Sequence, residues 1–157
     1  MTSPTQIRNK IVIPAAAIWL SVVAMGSAHA RALTVNLAGA TEVPRVETAA
    51  QGHGTLQLSD DGHISGRVLT EGLIDGVSAQ IHEGAPNERG AVLISLQYLD
   101  GKTWIVPPGA RLDSDDLASL AAGKLYINVH SKAHLDGEIR GQLHAASVTA
   151  ERTTSIR

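Results

Sequence analysis

Thr55-Leu56-Gln57-Leu58-Ser59-Asp60-Asp61-Gly62-His63-Ile64-Ser65-Gly66-Arg67-Val68-Leu69 is the stretch that decides the fold. Apolar and polar residues alternate on both sides of Asp60-Asp61-Gly62, and alternation is the period of a half-buried strand. Asp and Gly supply turn chemistry between the two runs, so 55–69 predicts a β-hairpin. Upstream, Leu33, Val35 and Leu37 alternate with Thr34 and Asn36 and predict another strand. Downstream, Val77–His82, Ala91–Leu96, Thr103–Val106, Leu125–His130 and Glu138–Leu143 extend the series, with loop composition over 83–90 and a turn at Asp100-Gly101.

One segment departs from this rhythm. Asp113 can cap a helix, Asp115 and Asp116 suit its positive end, Leu117, Leu120 and Ala121 fall on one face, and Gly123 suits the exit. Short strands at regular spacing with one short helix predict an all-β domain, an antiparallel β-sandwich or Greek-key barrel. Long helices between strands are missing from the pattern, which disfavours a parallel α/β sheet. With no Phe, two Trp and two Tyr, the core falls to Leu, Ile, Val and Ala, anchored by Trp104 and Tyr126.

The first 30 residues read differently. Arg8 and Lys10 precede an apolar run from Ile11 to Met25, and Ala28-His29-Ala30 follows as an A-x-A site. These are the parts of a secretion signal peptide, and the run is shorter than the ~20 residues that span a bilayer. Residues 1–30 are therefore expected to be removed on export, giving a periplasmic or extracellular protein. Residues 31–146 form the β domain and 147–157 a flexible C-terminal tail. No transmembrane segment is expected after cleavage.

Residues 31–157 keep all 15 acidic residues and lose two of the 13 basic ones, which leaves them near −4. That balance argues against a nucleic-acid partner, which needs a basic stripe to displace counterions. With no cysteine, thiolate metal sites, disulfides and a cysteine nucleophile are excluded.

Alternation also sorts side chains by face. In Leu125–His130 the apolar set is Leu125, Ile127 and Val129, and the opposite set is Tyr126, Asn128 and His130. Glu138, Arg140 and Gln142 oppose Ile139 and Leu143; Gln80 and His82 oppose Ala79 and Ile81. Three strands thus each carry a polar row, and Gln80, Asn128, Glu138 and Arg140 define a candidate polar face.

Four blocks of this sequence resemble the CHRD (chordin) domain family in its bacterial secreted form. They are Leu37-Ala38-Gly39-Ala40-Thr41-Glu42-Val43-Pro44, Ala79-Gln80-Ile81-His82-Glu83-Gly84-Ala85-Pro86, Ala122-Gly123-Lys124-Leu125-Tyr126-Ile127-Asn128-Val129-His130-Ser131, and Gly137-Glu138-Ile139-Arg140-Gly141-Gln142-Leu143. The resemblance covers 37–143 and implies an immunoglobulin-like β fold outside the cytoplasm, with little chemistry attached. Where the family usually reads Ala-His-Ile-His, this chain has Ala79-Gln80-Ile81-His82, so a paired-histidine metal site would have lost one ligand.

Two functional expectations follow. The first is a non-enzymatic binding or interaction module for an unknown protein or small ligand. No nucleophile elbow, phosphate loop or dinucleotide fingerprint occurs in the chain. The second is a copper or zinc protein using His82 and His130, with help from His134 or Glu138. The bland alternative has His82 and His130 hydrogen-bonded within the polar face, His134 solvated, and Glu138 and Arg140 joined in a structural ion-pair network. An enzyme would need His130, Glu138 and Arg140 in one cleft.

Overall fold

The alternation that predicts the hairpin forms one. In the computed structural model, which describes residues 30–146, Gln51–Leu58 (β2) and Ile64–Glu71 (β3) pair antiparallel in unbroken register from Gln51↔Glu71 to Leu58↔Ile64. The connecting turn is tied by the Ser59 hydroxyl and the His63 ring, which both bond to the Asp61 carboxylate. Leu56, Leu58, Ile64 and Val68 are buried, as the period requires.

The remaining strands are Arg31–Ala38 (β1), Gly76–Glu83 (β4), Val92–Ser95 (β5), Gln97–Asp100 (β6), Thr103–Ile105 (β7), Leu125–Ser131 (β8), Ile139–Gln142 (β9) and His144–Ala145 (β10). All pair antiparallel in one sheet of order β5-β4-β8-β9-β1-β2-β3-β7-β6, with β10 on β1. The terminal strands β5 and β6 are consecutive in the chain. Leu96 joins them and bonds the Ala79 carbonyl at 2.8 Å, so the sheet curls into a nearly closed barrel. The domain is all-β with one short helix, as the sequence predicts.

The helix, Ser114–Ala121 (α1), starts at a full capping box. The Asp113 carboxylate accepts from Asp115 and Asp116 N–H, and the Asp116 side chain accepts from Asp113 N–H. Gly123 follows at φ +71°. Two short strands escaped the sequence reading: β6, whose four residues are all exposed, and β10, which has two residues. Neither carries enough alternation to announce itself.

The apolar interior is built from Leu33, Val35 and Leu37 of β1, Leu56, Val68, Ile81, Ile127, Val129 and Trp104, and α1 adds Leu120. The expected secretion signal at 1–30, apart from Ala30, and the expected tail at 147–157 lie outside the described residues. No described helix is long and apolar enough to cross a membrane.

Candidate functional site

Strand register brings the three polar rows together. β8 pairs with β4 on one side and β9 on the other, so Gln80, Asn128 and Arg140 align across three strands, and His82, Tyr126 and Gln142 form the next row. Glu138, immediately before β9, donates its N–H to the Val129 carbonyl at 2.8 Å and continues the pattern beside His130.

These rows do not form an open face. His82 is 8% exposed, Asn128 5%, Glu138 6% and Arg140 1%. Two segments fold back over them: residues 42–50 between β1 and β2, and the loop 84–90 between β4 and β5. Alternation fixes which side of the sheet a residue takes, but says nothing of what the flanking loops later cover.

Arg140 holds the cover down. Its guanidinium donates to the carbonyls of Glu88 and Ala85, each at 2.8 Å, and to the Gln142 side-chain oxygen at 3.2 Å. Gln142 in turn donates to the carbonyls of Gly84 and Gly123 at 3.1 and 2.9 Å. The Tyr126 hydroxyl accepts from Gly90 N–H at 3.2 Å, and His82 Nδ1 donates to the Gly90 carbonyl at 3.1 Å. The Arg140 guanidinium carbon sits 3.5 Å from the Tyr126 ring centroid, and the other neighbour of that ring is His82, stacked at 4.9 Å and 9°. This His–Tyr–Arg stack runs across β4, β8 and β9, with cation–π attraction at one end. Burial disfavours the Arg140 charge, and Tyr126 and Glu42 partly offset that effect.

The segment 42–50 is pinned separately. The Thr48 hydroxyl donates to Glu138 at 2.7 Å, and Arg89 donates to the Val43 carbonyl, joining the two covering segments to each other. Glu42 is 4% exposed, with one carboxylate oxygen accepting from Val43 N–H at 2.9 Å. Gly137, at φ +124°, lies directly under it: a Cβ there would sit 2.4 Å from Asn128 Nδ2 and 2.5 Å from Glu42 Oε2. Gly141 has a similar role at the β1–β9 junction, where a Cβ would strike the Asn36 carbonyl.

Two expectations need correction in this light. Glu138 and Arg140 do not form an ion pair: Glu138 bonds Thr48, and Arg140 bonds backbone carbonyls. They share a side of the sheet but are drawn to different covering segments. His82, His130 and His134 do not converge as a metal cluster. The rings of His82 and His130 lie 6.4 Å apart between centroids, and both His82 nitrogens already face partners, Gly90 and Gln80. His134 is half-buried in the turn after β8, where its backbone N–H bonds the Ser131 hydroxyl. Among the described residues no three His, Asp or Glu side chains are grouped to hold an ion. Gln80, where the family favours His, supplies a hydrogen-bond partner to His82 at 3.2 Å.

Glu42 was not read as a site residue from the sequence. Its signal was available: it lies in the first of the four blocks that carry the resemblance, in Thr41-Glu42-Val43-Pro44. A cleft of about 370 Å³ opens beside this layer, lined by Asn36, Thr41, Glu42, Asn87, Arg140, Gln142 and His144 among others.

The barrel and its buried polar layer define a small all-β domain whose ionisable side chains lash loops to a sheet. The chain belongs to the CHRD domain family, whose pattern matches residues 33–143. It is similar to chordin of Xenopus laevis, 28% identical over 113 residues, which cover 68% of this chain and 12% of chordin. The chain thus corresponds to a small part of that protein. No solved structure matches it. All four blocks of the resemblance contribute to the buried polar layer: Glu42 from the first, Gln80, His82 and the Gly84 and Ala85 carbonyls from the second, Tyr126, Asn128 and His130 from the third, and Glu138, Arg140 and Gln142 from the fourth.

Proposed function

We propose that this chain is an exported, non-enzymatic CHRD module of the bacterial secreted type, working in the periplasm or outside the cell. Its role is to present loops to a partner. The observation that carries this reading is the internal commitment of the polar layer. The Arg140 guanidinium is engaged by three acceptors inside the domain, and His82 by Gly90 and Gln80. Side chains so engaged hold a surface rigid, and rigid loops bind with less ordering cost. The loop they hold carries exposed Asn87 and Arg89, and the turn after β8 beside it, bonded to His130 through the Leu135 carbonyl, adds Leu135, 71% exposed. The partner, a protein or a small ligand, meets this loop end rather than the strand faces.

The test has two arms. The full chain, tagged at its C-terminus and produced in a bacterial host, is expected outside the cytoplasm and shortened by residues 1–30; full-length retention inside overturns export. A photoreactive residue at Leu135 or Asn87 is then expected to give a discrete adduct in the exporting cell, with none from Thr55 on the strand face. Equal labelling from all three positions, or none, overturns the loop-end assignment.

A further inference from the structure

The cut expected from the sequence falls against the first strand of the barrel. Ala28-His29-Ala30 ends the signal, and β1 begins at the next residue, Arg31. Arg31, Ala32 and Leu33 pair with Leu58, Gln57 and Leu56 of β2. On the other edge Leu33 and Thr34 pair with Ala145 and His144 of β10, and the Ala146 N–H donates to the Ala32 carbonyl at 2.8 Å. Leu33 is fully buried. The Ala30–Arg31 bond is thus joined directly to a strand enclosed on both edges.

A protein that binds an extended segment does so through the backbone groups along that segment's edge. At about 3.3 Å per residue, the second and third residues after this bond lie within about 10 Å of it. They are Ala32 and Leu33, whose edges are taken by β2 and β10. The folded barrel therefore offers a protease little to grip. Freeing these residues breaks pairs along both edges of β1 and draws Leu33 out of the core. A site of this kind is cut through its opened state, in proportion to how often that state forms.

The two edges of β1 close at different times. β2 follows β1 after the segment 39–50, whereas β10 lies at the far end of the domain. Pairing between segments so distant in the chain forms late, because the intervening loop must close first. Until β10 docks, one edge of β1 stays open beside the bond.

We propose that residues 1–30 are removed from an unfolded chain, before β1 is enclosed, and that docking of β10 seals the cleavage site. This rests on the export reading given above. Water adds across the Ala30–Arg31 bond, leaving a carboxylate on Ala30 and a free amine on Arg31. β1 then pairs from its first residue. A precursor that folds first keeps its signal. The partner is an export machine that threads an extended chain, with the peptidase acting as the chain emerges. The start of the sequence agrees, since Asn9 separates Arg8 from Lys10 and no twin-arginine pair occurs there.

The test compares the full precursor with a form carrying about ten Gly and Ser residues between Ala30 and Arg31, a flexible spacer outside the barrel. Both are folded in detergent, where they are expected to melt alike, and exposed to a bacterial signal peptidase. Folded wild type is expected to be cut at least about tenfold more slowly than the spacer form. With the enzyme present as the chains are diluted from urea, both are expected to be cut alike. Folded wild type cut as fast as the spacer form overturns the proposed order and leaves export standing. Wild type that resists the enzyme even when unfolded, while the spacer form is cut, overturns it as well, because the local sequence and not the fold then protects the bond. If neither chain is cut in any state, the signal reading fails and the proposal falls with it.

Discussion

The two faces of β4, β8 and β9 are both buried, yet they are stabilised by different physics. On one side Ala79, Ile81, Ile127, Val129 and Ile139 pack into the barrel, each 1% exposed or less. On the other, His82, Asn128 and Arg140 lie buried under two covering segments, and His82 and Arg140 are joined to the loop 84–90 by directed bonds. The apolar side tolerates change in proportion to lost area, because contact there is non-directional. The polar side is less forgiving: each bond removed leaves a buried partner unmet. A sheet with two such faces has one core that makes it fold and a second that decides where its loops sit.

That contrast can be broken by experiment, and Arg140→Ala is the largest test. It strands the carbonyls of Ala85 and Glu88 and removes the stack on Tyr126. The expected loss is about 4 kcal/mol in urea denaturation, and proteolysis should appear first within 84–90. Ile127→Ala, at the centre of the opposite face, is expected to cost about 3 kcal/mol through transfer and cavity terms, without selective exposure of that loop. If the two variants open the same loop equally, the faces are one cooperative unit and the distinction fails.

The hairpin 55–69 was legible in the sequence because its period, its turn and its burial all agree. The helix was legible for the same reason, since Asp113, Asp116 and Gly123 each mark an end. The polar rows were legible as rows, because parity alone sorts Tyr126, Asn128 and His130 from Leu125, Ile127 and Val129. Their burial was not. It depends on residues 42–50 and 84–90, loops whose path is set by bonds to Arg140, Gln142 and Glu138 from far along the chain. Nothing periodic encodes such contacts. Glu42 illustrates the limit: in sequence it is an acid beside a Pro-containing loop, and only the approach of β8 turns it into an interior group. The separate destinations of Glu138 and Arg140 were hidden for the same reason.

His82 gives the smallest effect and the finest resolution of the contrast. Its ring is buried against Tyr126, and burial, with His130 and Arg140 adding like charge, lowers its pKa below the ordinary imidazole value; the bond to Gly90 opposes this. A histidine with a depressed folded pKa contributes stability that is complete above its unfolded value and lost as pH falls towards the folded one. The loss should therefore begin below about pH 6.5, the unfolded imidazole range. His82→Asn retains a side-chain donor for the Gly90 carbonyl and cannot take the extra proton. Its melting temperature is expected to fall less than that of wild type between about pH 7 and about pH 5. An NMR titration of the His82 ring reads the same quantity directly, and a midpoint above the free imidazole value would sink the assignment. Ile127→Ala should show no comparable pH dependence, so the two titrations separate a face held by proton placement from one held by area.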